Sequence, residues 1–281
     1  MPKRYSTVRG REFGAGMRTA IAHSGMTARQ IAAVMDWQEA KVSDMLTGRG
    51  GVTLMEVAMF LSVCRIPGAM RDHLLGLFPL LDVQGLWQLH GEHSPIWSRT
   101  AHAHVDVAKT LVSWDSHAIP LLLRTPEHMR AILAASPLVP ANELDDRLRA
   151  FEELLQLRGS VHNCAFYLRE SALRSQVGSL EEHLSQLHRI KHLAGEAGIT
   201  IKVVPQAVGA PPGMAGPFTL LKFKEAAYAP MVWTETENSS LFNEDPSSVK
   251  GIETVVRGLD AVSLNPKEST RLITLLLAEE E

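Results

Sequence analysis

The sequence predicts an α+β chain, with an all-α N-terminal domain of five helices followed by a larger mixed α/β domain whose sheet is largely antiparallel. Apolar residues recur at helical spacing through the first 80 residues, whereas beyond residue 99 helical runs alternate with segments rich in β-branched and aromatic residues. Charge changes at the same place. Residues 1–80 hold ten Lys/Arg against six Asp/Glu, a net +4, and since the whole chain is −3 the remaining 201 residues are −7. A basic head on an acidic body suggests that the head meets a polyanion and the body does not. A length of 281 residues suits two domains, and composition divides them as 1–78, a packed linker at 79–98, and 99–281.

In the head, Phe13, Met17, Ala20 and Ile21 mark a first helix that Gly25 ends. Thr27 stands as N-cap before "ARQIAAVM", Asp36 and Trp37 fall in a turn, and "EAKVSDML" resumes the helical period until Gly48. A fourth helix, "TLMEVAMFLSVC", starts at its own Thr53 cap, and "GAMRDHLLGLF" supplies a fifth before Pro79. The segment "PLLDVQGLWQLHGEHSPIW" mixes Gly, Pro and His with bulky apolar residues, as a packed linker would. Helical runs follow at about 99–113, 126–135, 143–157 and 179–197, and a last amphipathic helix at about 266–279. Strands are expected in "SHAIPLLL", "HNCAFYLRE", "TIKVVP", "GPFTLLKF" and "APMVWTET", the last three joined by loops that favour antiparallel pairing.

The second and third helices meet the demands of a helix-turn-helix. Ala32 is the small residue at the crossing, and Ile31, Met35, Trp37, Val42 and Met45 fall at inward positions. The turn position is most often Gly, because it adopts positive φ; here it is Asp36, one of the few residues that tolerate that region. This register turns Gln38, Glu39, Lys41, Ser43 and Asp44 toward base edges, and sets Thr27, Arg29, Gln30 and Arg49 against phosphate. Arg4, Arg9 and Arg11 are candidates for an added arm. Glu39 and Asp44 can accept from cytosine N4 while repelling phosphate, so they predict selectivity with weak non-specific binding. The competing reading is a helical bundle that kept the fold and serves protein contacts. A head this small contacts few bases, so double-stranded DNA would be met by a homodimer.

These residues carry a resemblance. The first 78 residues resemble the phage-repressor or XRE type of helix-turn-helix domain, and the rest resembles the uncharacterised domain that follows it in many regulators of filamentous high-GC bacteria. The echoes are "IPLLLRTPEHMRAIL", "RESALRSQVGS", "IKVVP", "GPFTLLKF", "MVWTETE" and "LNPKESTRLI". Departures stand beside them: Arg124 and His128 replace the usual Gln and Tyr, and Asp44 and Leu46 replace the usual Arg and Glu of the recognition helix. The resemblance implies a cytoplasmic transcriptional regulator, sometimes the antitoxin-like companion of a small partner protein, with no known enzyme activity and no established ligand. A partner protein or a small-molecule effector of the body remain alternatives.

Other chemistry finds less support. Cys64 and Cys164 lack zinc-ribbon spacing and suit a reducing cytoplasm. The N-terminus lacks the apolar core of a signal peptide, and no window is long and apolar enough for a membrane span. His90, His93, His102, His104, His188 and His192 invite a metal reading, but none has a Cys pair or an H-E-x-x-H context, so no metal or cofactor is expected. The loop "VGAPPGMAGP" reads as a mobile flap or interface loop rather than a phosphate cradle, and Glu170 and Glu235 lack a companion nucleophile. No catalytic constellation is found, so no enzyme is expected. Trp37, Trp87, Trp97, Trp114 and Trp233 read as core or interface anchors, with a small hydrophobic effector pocket in the body as the second reading.

Overall fold

The computed structural model describes residues 6–48, 51–90, 95–225 and 228–280, with residues 95–99 described by their backbone alone. The chain divides into two compact units. One comprises residues 1–86 together with 225–229 and 243–245, and the other comprises 87–224, 230–242 and 246–281.

In the first unit, α1 (Val8–Ser24), α2 (Ala28–Val34), α3 (Glu39–Leu46), α4 (Leu54–Cys64) and α5 (Gly68–Leu77) enclose one apolar core. Phe13 and Met17 of α1, Ile31 and Ala32 of α2, Val42 and Met45 of α3, and Val57, Phe60 and Leu61 of α4 are all buried there. The helix starts follow from side-chain caps: the hydroxyls of Thr7, Thr27 and Thr53 each accept an otherwise orphaned backbone N–H. Asp36 holds φ at 53°, so the tight turn between α2 and α3 uses the left-handed region expected of it.

Two long-range features bind this unit. Helix α1 passes so close to the end of α3 that a Cβ added to Gly14 would lie 2.2 Å from the Leu46 carbonyl oxygen, and only glycine permits that approach. Arg18 donates to the same Leu46 oxygen at 2.6 Å. At the start of α1, Arg11 is buried and paired with buried Glu244 at 2.8 Å, while the other Glu244 oxygen accepts the Val8 N–H at 2.7 Å. Arg9 donates to the Gly85 carbonyl at 2.9 Å. Arg9 and Arg11 are thus structural ties rather than an arm, because each is already engaged inside the unit; Arg4 lies outside the described residues.

The second unit is built on a seven-stranded sheet of order β1-β7-β6-β5-β2-β3-β4. Its strands are β1 (Leu86–Leu89), β2 (Ala108–Asp115), β3 (Asn163–Arg169), β4 (Ile199–Val204), β5 (Phe218–Phe223), β6 (Met231–Glu235) and β7 (Ser239–Asn243). β2, β3 and β4 run parallel, whereas β5 pairs antiparallel with both β2 and β6. Interleaved helices are α6 (Pro95–Asp106), α7 (Pro126–Ala135), α8 (Leu144–Arg158), α9 (Glu170–Arg174), α10 (Leu180–Leu193), α11 (Pro246–Val262) and α12 (Pro266–Glu280). Val112 and Trp114 of β2 share a face with Ala165 and Tyr167 of β3, and this face packs on Val249, Val255 and Leu259 of α11. By alternation Leu111, Cys164, Phe166 and Leu168 point the other way, and all are buried.

The α+β class holds, with three corrections. The strands β4 and β5 do not pair as expected: β4 closes a parallel part, β2-β3-β4, and a long loop carries the chain from that edge back to the antiparallel part. The apolar run "SHAIPLLL" is not a strand but leads into a 3₁₀ turn at Leu121–Leu123, forced by Pro120, and the strand lies earlier, inside the stretch expected to be helical. Part of the expected linker, Leu86–Leu89, is the edge strand β1, and Trp87 on it is 67% exposed rather than a core anchor. Trp97 has no described side chain. Both cysteines are free and buried, and burial pushes each thiol up to about 11. No described helix is long and apolar enough to cross a membrane.

Candidate nucleic-acid interface and body cavity

Burial of Val42 and Met45 fixes the rotation of α3 and leaves Gln38, Glu39, Ala40, Ser43 and Asp44 exposed on its outer side. The outward residues are polar and mostly uncommitted. Glu39 pairs with Arg29 at 3.2 Å, both strongly exposed, so the cation expected to meet phosphate is balanced by an acid of the reader helix. Lys41 is drawn aside: its ammonium is paired with Glu56 of α4 and lies 4.5 Å from the centre of the Trp37 ring. The Lys41 contact, with a second from the Thr53 N–H, holds the Glu56 carboxyl down at about 2. Thr27 and Gln30 form a capping box, the Gln30 carbonyl oxygen accepting the Thr27 N–H at 2.8 Å, so both are committed to starting α2. Arg49 lies outside the described residues.

The body holds a cavity of about 460 Å³, within the range of small-molecule sites. It lies at the carboxyl ends of β2 and β6 and the start of β5, under α7 and α8. Leu122, Phe151 and Leu154 give it apolar walls. The charged groups around it are mostly committed. Asp115 accepts the backbone N–H groups of His117 and Ala118, Arg147 is paired with Glu143 at 3.0 Å, and Glu237 accepts the Ser136 hydroxyl at 2.8 Å. Arg124 is different. Its Nε donates to the Ile119 carbonyl at 2.7 Å and its Nη1 approaches the Met129 sulfur at 3.6 Å, but Nη2 has no acceptor among the described residues. Glu235 makes no hydrogen bond or ion pair among them, and burial pushes its carboxyl up to about 7 against the opposing pull of Arg124. Both side chains sit deep in the protein, yet keep partial exposure because they face the cavity space. His128, on α7 beside them, is pushed down to about 4 by burial and then by Arg124, so it is neutral at physiological pH.

Residues 12–74 match a helix-turn-helix domain. Residues 98–275, more than half of the chain, match a domain of unknown function, DUF5753. The chain belongs to the DUF5753 family. No curated protein matches it. Among solved structures, TrmBL2, described as an archaeal chromatin protein showing a novel mode of DNA binding, is similar at 12% identity over 85% of this chain and 88% of its own. The TM-score of that superposition is 0.30.

In this DUF5753 chain three of the histidines that invite a metal reading have local tasks, whereas His102 Nε2 is buried without a partner among the described residues. His104 Nδ1 bonds the Thr100 carbonyl at 2.5 Å, His90 Nε2 bonds Ser240 Oγ at 2.8 Å, and His192 faces Glu196 at 3.6 Å. His93 is outside the described residues. The Gly/Pro-rich loop is anchored rather than a free flap, since the Gly213 carbonyl accepts the Trp114 indole N–H at 2.8 Å. Glu170 is tied to Arg174 and to the Gln206 N–H. Sequence reasoning noted Arg124 as a departure and Glu235 as an isolated carboxylate, but did not bring them together. The signal was a charge embedded in each of two apolar runs, "IPLLLRT" and "MVWTE".

Proposed function

We propose that this chain is a sequence-specific transcriptional regulator of the XRE type, which reads double-stranded DNA as a cytoplasmic homodimer and whose body binds an effector or partner. The observation that carries the reading is the rotation of α3. Val42 and Met45 are fully used by the core, while Gln38, Ser43, Glu39 and Asp44 are left outward at the start and middle of a helix of major-groove size. The head is too small for a long contact, so affinity requires two copies on a repeated or palindromic site.

Enrichment of genomic DNA on the native protein, followed by anisotropy on the recovered site, tests this. A defined operator bound far more tightly than random duplex supports the reading; equal, weak binding to all duplexes sinks it. Light scattering that finds a monomer with and without the operator removes the dimer.

A second reading is favoured by one observation. Asp36, Glu39 and Asp44 expose acids around the reader helix, and the neighbouring cations Arg29 of α2 and Lys41 of α3 are each paired with an acid. Such a surface suits a basic protein partner, as in an antitoxin-like pair. A stoichiometric partner recovered from native cytoplasm without DNA enrichment would favour it. Neither reading includes an enzymatic activity.

A further inference from the structure

We propose that the body cavity is the binding site for a small amphipathic zwitterion, of the hydrophobic amino-acid or dipeptide class. Its carboxylate would be held by Arg124, its ammonium by Glu235 and its apolar group by the apolar walls. The inference deepens the reading of the body as an effector domain and rests on it.

Three features lead to this class. First, the cavity is lined by an uncommitted cation and an uncommitted anion that do not pair with each other. Keeping two such groups deep in the protein without a counter-charge costs free energy that folding alone does not recover, so their retention points to a charged guest. Second, the other charged groups around the cavity are satisfied by protein: Asp115 by backbone, Arg147 by Glu143, Glu237 by Ser136. Among the charged groups the mismatch is therefore confined to one guanidinium and one carboxyl, while Trp233 Nε1, His102 Nε2 and His128 Nδ1 in the same lining are buried without partners among the described residues. A guest with only a carboxylate would suit Arg124 but repel Glu235, and a guest with only an amine would do the reverse. One that carries both complements both. Third, Leu122, Phe151 and Leu154 offer apolar area with no polar demand, which selects an apolar side group.

His128 does not substitute for the guest, because burial and Arg124 keep it neutral. The Arg124 fork is already oriented by Ile119 and Met129, which leaves Nη2 as the open donor for a carboxylate.

The test is a fluorescence titration of the full-length protein, since Trp233 lines the cavity. The probes are L-phenylalanine, L-tryptophan and L-leucyl-L-phenylalanine, each compared with its N-acetyl and C-terminal amide forms. Where the probe itself fluoresces, calorimetry replaces emission. The expected result is saturable binding of at least one free zwitterion, with each blocked form weaker by about tenfold or more. Arg124→Gln and Glu235→Gln should each cause a similar loss, with unchanged circular dichroism. Absence of binding at millimolar concentration overturns the proposal, and so does equal binding of free and blocked forms, a comparison that needs no variant. Operator binding is followed separately by anisotropy on the same preparation. Loss of the operator result therefore leaves the titration standing, and failure of the titration leaves the DNA reading standing.

Discussion

In the first unit Arg29 pairs with Glu39 and Lys41 with Glu56 at the surface, whereas in the second Arg124 and Glu235 face one cavity without joining. The chemical types are the same and the surroundings differ. Exposed pairs are worth about 0–1 kcal/mol and are weakened by salt, so a phosphate can replace one member at little cost. Deep charges are costly to keep unpaired, so they survive where a guest offsets them. The contrast separates a surface that can be rearranged on contact from a site that waits for one kind of occupant.

The largest effect should come from a third arrangement, the satisfied buried pair. Glu244→Ala leaves the Arg11 guanidinium buried without its carboxylate and should destabilise the first unit by about 3–5 kcal/mol. Denaturant unfolding followed through a head probe would report it, and an Arg11→Met, Glu244→Leu double variant should recover much of the loss. If the single variant is as stable as the parent, burial has been overestimated.

Glu235→Gln should act in the opposite direction. Its carboxyl, raised from 4.5 to about 7, holds its proton more tightly in the folded state than in the unfolded one. This contribution to stability is therefore full below about pH 4.5 and is lost as pH rises through 7. The neutral variant should be more stable than the parent by up to about 3 kcal/mol at pH 8 and nearly equal at pH 4.5. Calorimetric melting across that range reads the difference, and a pH-independent gap would show that Glu235 is not the source.

At the surface the effects shrink. Gln38→Ala should cost about 1–3 kcal/mol of base discrimination while leaving the salt slope unchanged, as measured by anisotropy on matched and mismatched sites. Glu39→Gln should instead tighten binding to all duplexes, because Arg29 is released from its acid. Smallest is Thr27→Ala, which removes a cap and should lower head stability by about 1 kcal/mol with no change in base preference. A changed preference there would move Thr27 from the cap to the interface.

The head was legible because its residues answer to local rules. Thr27 and Thr53 announce helix starts, Gly25 ends a helix, and Val42 with Met45 fixes which side of α3 is inward. The body was legible where alternation or β-branched runs were clean, as in β3 and β5. It misled at Leu121–Leu123, where three leucines form a 3₁₀ turn beside proline, and at β2, whose polar Lys109, Thr110 and Ser113 masked a buried strand. Arg9 and Arg11 were misplaced because their partners, Gly85 and Glu244, are distant in sequence. The Arg124 and Glu235 juxtaposition failed for the same reason: it is created by the order of strands, which no local period encodes.

The pairing of Arg11 with Glu244 has a practical consequence for anyone cutting this chain apart. The first unit draws on residues 225–229 and 243–245, so a fragment ending near residue 86 lacks the carboxylate that neutralises Arg11. The helix-turn-helix is thus not a cassette that can be grafted onto another receiver by simple fusion. A chimera must supply a surrogate acid near the start of α1 or replace Arg11 with an apolar residue. Chimeras built without that repair should be the ones that accumulate poorly in cells.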